Sequence, residues 1–260
     1  MINIIIPLDF SQTSFNAAHY AANMYKGRTD VTLILYHFYT HGEDTETAKE
    51  YLDSLQEELG RLGSIIETEL ESGEKFIDSL AAFAHVKRAY MVVMGLTGRT
   101  PMAQRFSGSN TLQMSEKEVC PVLIIPENVS FNGFFNAMIT SEMKYVEETP
   151  CLLTIKRVLS YFKPSLHILN VDPKHYLELT EEYKAEKDKM QELMKEFDPS
   201  FYFMDLYDFH ESVNTFATDN NIDLIIIAPK YHDFFGKLFK TLHTKKLIYH
   251  TKVPVLAVHE

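Results

Sequence analysis

Cysteine is scarce: Cys120 and Cys151 are the only two in a chain of 260 residues. Two such thiols make no disulfide framework, and no Cys/His spacing fits a zinc site. Long apolar runs are missing too. None approaches the roughly 20 residues that a membrane helix needs, so no membrane partner is expected. The opening residues, Met-Ile-Asn-Ile-Ile-Ile-Pro, lack the basic start and small-residue cleavage site of a signal peptide and read as a strand. A reducing cytoplasm is the expected location. Basic charge is also short: the formal net charge is −11, against the basic surface that general nucleic-acid binding needs. Two phosphate-binding signatures are absent. No Gly-Lys-Ser/Thr closes a Walker A loop, and no Gly-x-Gly-x-x-Gly dinucleotide fingerprint occurs.

What is present is a globular composition, 45% hydrophobic and 23% charged, in a length that suits one large domain or two small ones. Strand and helix signals alternate. A short apolar strand at residues 2–7 ends in Pro7-Leu8-Asp9-Phe10-Ser11, and Ser11 or Thr13 can cap a helix over about 14–26 with Phe15, Ala18, Ala22 and Tyr25 on one face. Val31 to Phe38 is apolar on both faces, as in a covered parallel sheet. An acidic helix over about 45–61, a strand near 64–70 and a helix over about 75–87 follow, the last with Phe76, Leu80, Phe83 and Ala84 apolar. The strand Ala89 to Met94, a glycine loop, a helix over about 108–118 and the strand Val122 to Ile125 complete this half. Such alternation predicts an α/β fold with a mostly parallel sheet.

After a linker, residues 127–133, the pattern starts again. An offset of 133 takes Ile6 to Ile139, Leu33 to Leu166, Phe76 to Phe209, Ser79 to Ser212, Phe83-Ala84 to Phe216-Ala217 and Pro121-Val122 to Pro254-Val255. One ungapped register from first strand to last predicts two copies of one domain, 1–128 and 134–260.

The stretch Met94 to Asn110 carries the chemistry. Gly95-x2-Gly98-x9-Gly108-Ser109-Asn110 joins a strand to a helix start. Glycine lets backbone N–H groups turn toward a ligand, and a helix N-terminus adds free N–H groups and a positive dipole end. The spacing resembles the nucleotide-binding loop of the universal stress protein family, Gly-x2-Gly-x9-Gly-Ser/Thr. Pro7-Leu8-Asp9-Phe10-Ser11, Tyr36-His37-Phe38 and Cys120-Pro121-Val122-Leu123-Ile124-Ile125-Pro126 resemble that family's strand endings and last strand. The resemblance covers nearly the whole chain, as a tandem member.

The resemblance implies two doubly wound domains, each a five-stranded parallel sheet of order 3-2-1-4-5 with helices on both faces. Asp9 and Gly95 would then flank one crevice at the topological switch point. It implies that ATP or another adenine nucleotide, with or without Mg2+, is held by the first half as a regulatory switch in a stress response. Gly95, Gly98, Gly108, Ser109 and Asn110 would hold ribose and phosphates. Phe38 and Met94 would border the adenine, Pro7 belongs to the strand-one ending, and Asp9 would reach a ribose hydroxyl, the adenine amine or a metal. Asp9 also reads as a plain turn or cap residue, and Arg99 and Arg105 as phosphate partners or solvated side chains. The second half departs from the motif: Ala228, Tyr231, Thr241, Leu242 and His243 stand at the loop positions, Glu142 at Asp9 and Thr140 at Pro7. It is expected to keep the fold without the standard site. The lysines 230, 237, 240, 245 and 246 read as a solvated basic face, and His232, His243, His250 and His259 as scattered surface histidines. Pairing of the two domains is expected, with a homodimer open. No catalytic residue is expected; the rivals are a slow ATPase or nucleotidyl-transfer enzyme, acting through Asp9 or His37, and a dimerisation module with a vestigial pocket.

Overall fold

The computed structural model of the chain describes residues 1–40, 42, 45–96, 110–141, 143, 146, 151–171, 180–204, 209–227 and 242–258, with backbone only at 242–244. It divides into two compact units, Met1–Asn132 and Gly133–Glu260. In the first, strands β1 (Ile2–Leu8), β2 (Val31–Tyr39), β3 (Ile65–Ser72), β4 (Met91–Leu96) and β5 (Val122–Pro126) alternate with helices α1 (Gln12–Met24), α2 (Thr45–Gly60), α3 (Phe76–Val86) and α4 (described over 110–115). The strands are all parallel and lie in the order β3-β2-β1-β4-β5. The second unit holds β6 (Asn136–Thr140), α5 (Cys151–Phe162), β7 (Ser165–Val171), α6 (Glu181–Leu193), β8 (Ser200–Met204), α7 (Phe209–Asp219), β9 (Leu224–Ile227), α8 (Leu242–His250) and β10 (Val255–Ala257). Its order, β8-β7-β6-β9-β10, is the same winding. The expected doubly wound fold, twice over, is what the chain forms.

The 133-residue offset holds in the backbone as well. Ile4 opposite Leu33, Ile34 opposite Glu67, Ile4 opposite Met91 and Val92 opposite Val122 in the first unit become Ala137 opposite Leu166, His167 opposite Ser200, Ala137 opposite Leu224 and Ile225 opposite Val255 in the second. Every strand pairing keeps its register, so no residue has been gained or lost between matched strands. A slip of one residue would have turned a whole strand inside out.

Right-handed crossovers place helices on opposite faces when the direction of travel across a sheet reverses. β1 to β3 run one way and β3 to β5 return past β1. Side-chain contacts agree with that geometry. His19 of α1 meets Glu58 of α2 at 3.6 Å, and Asp78 of α3 meets Lys117 just beyond α4 at 2.5 Å. In the second unit Lys156 of α5 reaches Glu196 beyond α6 at 3.0 Å, while His210 of α7 and His250 of α8 pack ring to ring at 5.5 Å. Covered on both sides, the central strands carry no polar face: Ile4, Ile5 and Ile6 are each fully buried. Burying such a side chain contributes roughly 1.5–3 kcal/mol.

One helix differs from expectation in its buried stripe. The buried stripe of α3 is Ile77, Leu80, Ala81 and Ala84, whereas Phe76 and Phe83 flank it and pack on β2 side chains, Phe38 at 5.7 Å and Tyr36 at 4.9 Å. The large rings fill the margin because the small residues let the helix sit close to the sheet. α5 is described from Cys151, the counterpart of Ala18, midway along α1, and residues 147–150 lie outside the described residues. Pro150 precedes it in the sequence, where α1 has Ala17. Proline suits a first helical turn, but inside a helix it removes an N–H and strikes the preceding turn. The expectation around 176–197 is met by α6 and a 3-10 turn at Lys195–Phe197, with Met190, Met194 and Phe197 buried as core; residues 176–179 lie outside the described residues.

One β7 residue fits its surroundings poorly. His167, whose counterpart is Ile34, stacks on Tyr202 at 5.5 Å and meets the edge of Phe216 at 6.0 Å. Both of its ring nitrogens are shielded from solvent without a hydrogen-bond partner, and desolvation lowers its pKa. A histidine with a depressed pKa binds its proton more readily in the unfolded chain. Stability is therefore lost as pH falls below the unfolded value of about 6.5. His167→Ile should raise stability by on the order of 1 kcal/mol at neutral pH. It should also flatten the decline between pH 7 and pH 5.5, as read by urea denaturation of both proteins.

Candidate functional site

Parallel strands bring all their carboxyl ends to one edge, and β1 and β4 are neighbours where the winding reverses. Ligands of doubly wound sheets bind at that place. The turn leaving β1 is built from short side chains and one strained residue. Asp9 Oδ1 accepts from the Ser11 N–H at 3.0 Å and from Ser11 Oγ–H at 2.5 Å. Ser11 caps α1 by accepting from the Ser14 N–H at 3.3 Å. Partial desolvation pushes the Asp9 pKa up, but hydrogen bonds from Ser11 and Ser14 outweigh it and hold the carboxyl below its ordinary value. The turn and cap role considered for Asp9 is thus present in the fold.

Between them Phe10 adopts φ 58°, a left-handed conformation that costs a non-glycine residue roughly 1–2 kcal/mol. Its ring stacks on His37 at 4.4 Å and packs near Tyr51 of α2 at 5.3 Å. Aromatic pairs contribute about 0.5–1.5 kcal/mol each beyond area burial, enough to offset the strain. His37 is 8% exposed, and its Nδ1 lies 2.8 Å from the Leu8 carbonyl oxygen. A carbonyl only accepts, so that nitrogen carries the proton. The second unit repeats the arrangement with other residues: Met143 takes φ 52°, and the Asn170 side-chain amide donates to the Ser141 carbonyl at 3.0 Å.

Gly95 has a packing reason for being glycine. A Cβ there would sit 2.7 Å from the Thr13 carbonyl carbon and closer still to its oxygen. The first turn of α1 therefore lies backbone to backbone against the end of β4. On its other side the Thr111 hydroxyl of α4 donates to the Gly95 carbonyl at 3.2 Å, which brings Asn110 to the same edge. Pro7 and Met94 are buried, Met94 at 5% exposure. The Phe38 ring is turned to α3, beside Phe76 and over Gly73, where an added Cβ would lie 3.0 Å from it.

The structure thus gathers Pro7, Asp9, Met94, Gly95 and Asn110 at one edge, with Phe38 on the strand beside β1. Gly98, Gly108, Ser109, Arg99 and Arg105 lie outside the described residues, as do Glu142, Ala228, Tyr231, Thr241, His232, His259 and the lysines 230, 237 and 240; so do the side chains of Leu242 and His243. Thr13 was not legible as a site residue, although its place one turn into a capped helix after Pro-x-Asp-x-Ser was a usable signal. Among the described residues no three His, Cys, Asp or Glu side chains group as a metal site, and no helix is long and apolar enough to cross a membrane. Both cysteines are buried and outside any disulfide, and burial pushes the Cys120 thiol up to about 12.

α1 also holds the segment that leaves the unit. The Asn16 side-chain amide donates to the carbonyls of Pro126 at 3.3 Å and Val129 at 3.2 Å, and Tyr20 packs against the edge of Phe131 at 5.4 Å.

These features define a doubly wound α/β domain with its open edge at a strand-order reversal. Residues 1–126, nearly all of the first unit, match the model of the universal stress protein family. It is 28% identical over 137 residues to a universal stress protein of Methanocaldococcus jannaschii, covering 47% of this chain and 80% of that protein. A universal stress protein from Archaeoglobus fulgidus superposes with a TM-score of 0.75 at 15% identity, covering 98% of this chain and 94% of that one. A structure from Pseudomonas aeruginosa gives 0.68 at 11% identity over 98% and 91%. At such identities the likeness concerns the fold.

Two outcomes test the local geometry. Gly95→Ala should destabilise the chain by about 1–3 kcal/mol, the ordinary cost of overpacking, because backbone must move to admit the methyl; urea denaturation measures it. Asp9, with its lowered pKa, contributes stability above its unfolded value of about 3.9 and loses it as pH falls through the folded value. The melting temperatures of the wild type and Asp9→Ala should therefore differ most at neutral pH and draw together as the pH falls through the folded value.

Proposed function

We propose that the chain is a stress-response protein whose first unit binds one adenine nucleotide, ATP or a relative of it, as a regulatory switch in the cytoplasm. The observation that carries this reading is the meeting of Asp9, Gly95, Asn110 and the α1 N-terminus at the β1–β4 edge. The glycine spacing that continues from Gly95 through Gly98 to Gly108-Ser109 supports it. Backbone N–H groups and the α1 dipole favour an anion there, and the strand ends would border the base. Mg2+ carried by the nucleotide would meet a single carboxylate, Asp9, whose Oδ1 already serves Ser11. The described side chains therefore add charge near a metal without forming its ligand set.

Turnover is not part of this reading. His37 is stacked under Phe10 with its Nδ1 proton committed to Leu8, and Asp9 is a hydrogen-bonded carboxylate with a depressed pKa. With its carboxyl held below the ordinary value, Asp9 is not poised as a general base, which needs a pKa near the working pH. Occupancy would act through α1, whose first turn packs on Gly95 and whose middle holds the 126–131 segment. A ligand shifts such an equilibrium only by its differential affinity for two states.

Calorimetric titration of ATP into the whole chain should give a stoichiometry near one. Gly98→Tyr, which imitates the second half, should abolish the heat, and Tyr231→Gly should not add a second site. Losing a hydrogen bond to a charged phosphate costs about 1.5–3 kcal/mol, roughly ten- to a hundredfold in affinity. A stoichiometry of two, or binding indifferent to Gly98→Tyr, would overturn the assignment.

A further inference from the structure

The two units differ in one ladder. β6 and β9 pair over four levels, from Ala137 opposite Leu224 to Thr140 opposite Ile227. The same levels in the first unit run from Ile4 opposite Met91 to Pro7 opposite Met94, but pairing there stops at Ile5 opposite Val92. β1 itself does not end early: its ladder with β2 runs on through Pro7 opposite Tyr36 to Leu8 opposite His37. The shortening is confined to the side that faces β4.

A strand alternates the direction of its N–H groups, so the missing N–H of one proline interrupts pairing with one neighbour only. Proline is for that reason almost excluded from central strands. Yet Pro7 sits in the central strand of its sheet, buried, at the level where the ladder to β4 fails. Thr140, at the matching position, has an N–H to give, and the ladder there continues.

We infer that Pro7 is a positioning residue that opens the crevice by ending the β1–β4 ladder, and that Thr140 closes the corresponding place in the second unit by extending it. The Val93 carbonyl, which an N–H at position 7 would meet, is left without that rung and can accept from a ligand instead. In the second unit the same level is spent on strand pairing. Restoring glycines to the second copy would therefore leave its crevice zipped. The inference rests on the adenine-nucleotide reading for its ligand and on the two ladders for its mechanism, and the two parts can be tested separately.

The experiment uses the whole chain with Pro7→Thr, Pro7→Ala and, as the reverse change, Thr140→Pro. Amide exchange followed by NMR reads the ladder, and titration with ATP reads the site. The new amide at position 7 should exchange at least about tenfold more slowly than an open strand-end amide, and ATP affinity should fall about tenfold or more, as for one lost charge-assisted hydrogen bond. Thr140→Pro should speed exchange at the end of β9. A freely exchanging amide at position 7 would overturn the ladder mechanism, and a protected amide with undiminished affinity would overturn its link to binding. A wild-type chain that binds no ATP would overturn the nucleotide reading alone, since exchange still decides the ladder. If Pro7→Thr fails to fold, Pro7→Ala adds the N–H without the branched side chain, and it decides with Thr140→Pro.

Discussion

The backbone of α1 meets the backbone of β4 at Thr13 and Gly95 with no side chain between them, and the shape of the carboxyl edge follows from that approach. A methyl group at residue 95 would push the helix start away from the strand. With the helix seated, Ser11 can cap it, Asp9 can brace the cap, and Thr111 can reach Gly95 from the other side. The glycine therefore answers to the protein's own packing first. Whatever it offers a ligand comes from the same closeness, because an approach that excludes a Cβ also aims a helix terminus at the strand end.

The second unit differs at the matching place. The residue matching Thr13, Val146, offers its N–H to Glu186 of α6 at 2.7 Å. The left-handed turn residue and the side-chain bond back to the end of the first strand survive as Met143 and Asn170. Those features belong to the fold. The loop glycines and the proline are what the second half lacks in sequence.

Much of this architecture was legible because hydrophobic period and offset are properties of the chain itself. The alternation from Ile2 to Ile125, and the single offset carrying Ile6 to Ile139, gave class and copy number, since buried parallel strands tolerate no slip in register; the winding came from the family resemblance. Partners were harder to read. A period shows which face of α3 is apolar but not that Ile77 and Ala81 press the sheet while Phe76 and Phe83 lie at its margin. The glycine spacing pointed to the end of β4, but a contact between Gly95 and Thr13 links residues far apart in sequence and leaves no local trace. Phe10 in a left-handed turn runs against local preference, and only the rings of His37 and Tyr51, brought from two other elements, make it tolerable.

The grip of α1 on the segment after β5 bears on where one half of this chain can be parted from the other. The family-model match ends at Pro126, yet Asn16 holds Val129 as well as Pro126, and Tyr20 rests on Phe131. A fragment trimmed at the end of the last strand would strip a hydrogen bond and an aromatic neighbour from the same helix that seats against Gly95. Gly133, at φ 115°, is the first residue past this wrapping whose backbone favours glycine. The seam between the halves therefore falls at that bend, and a first half made alone should be carried through Asn132 to keep its helix fully dressed.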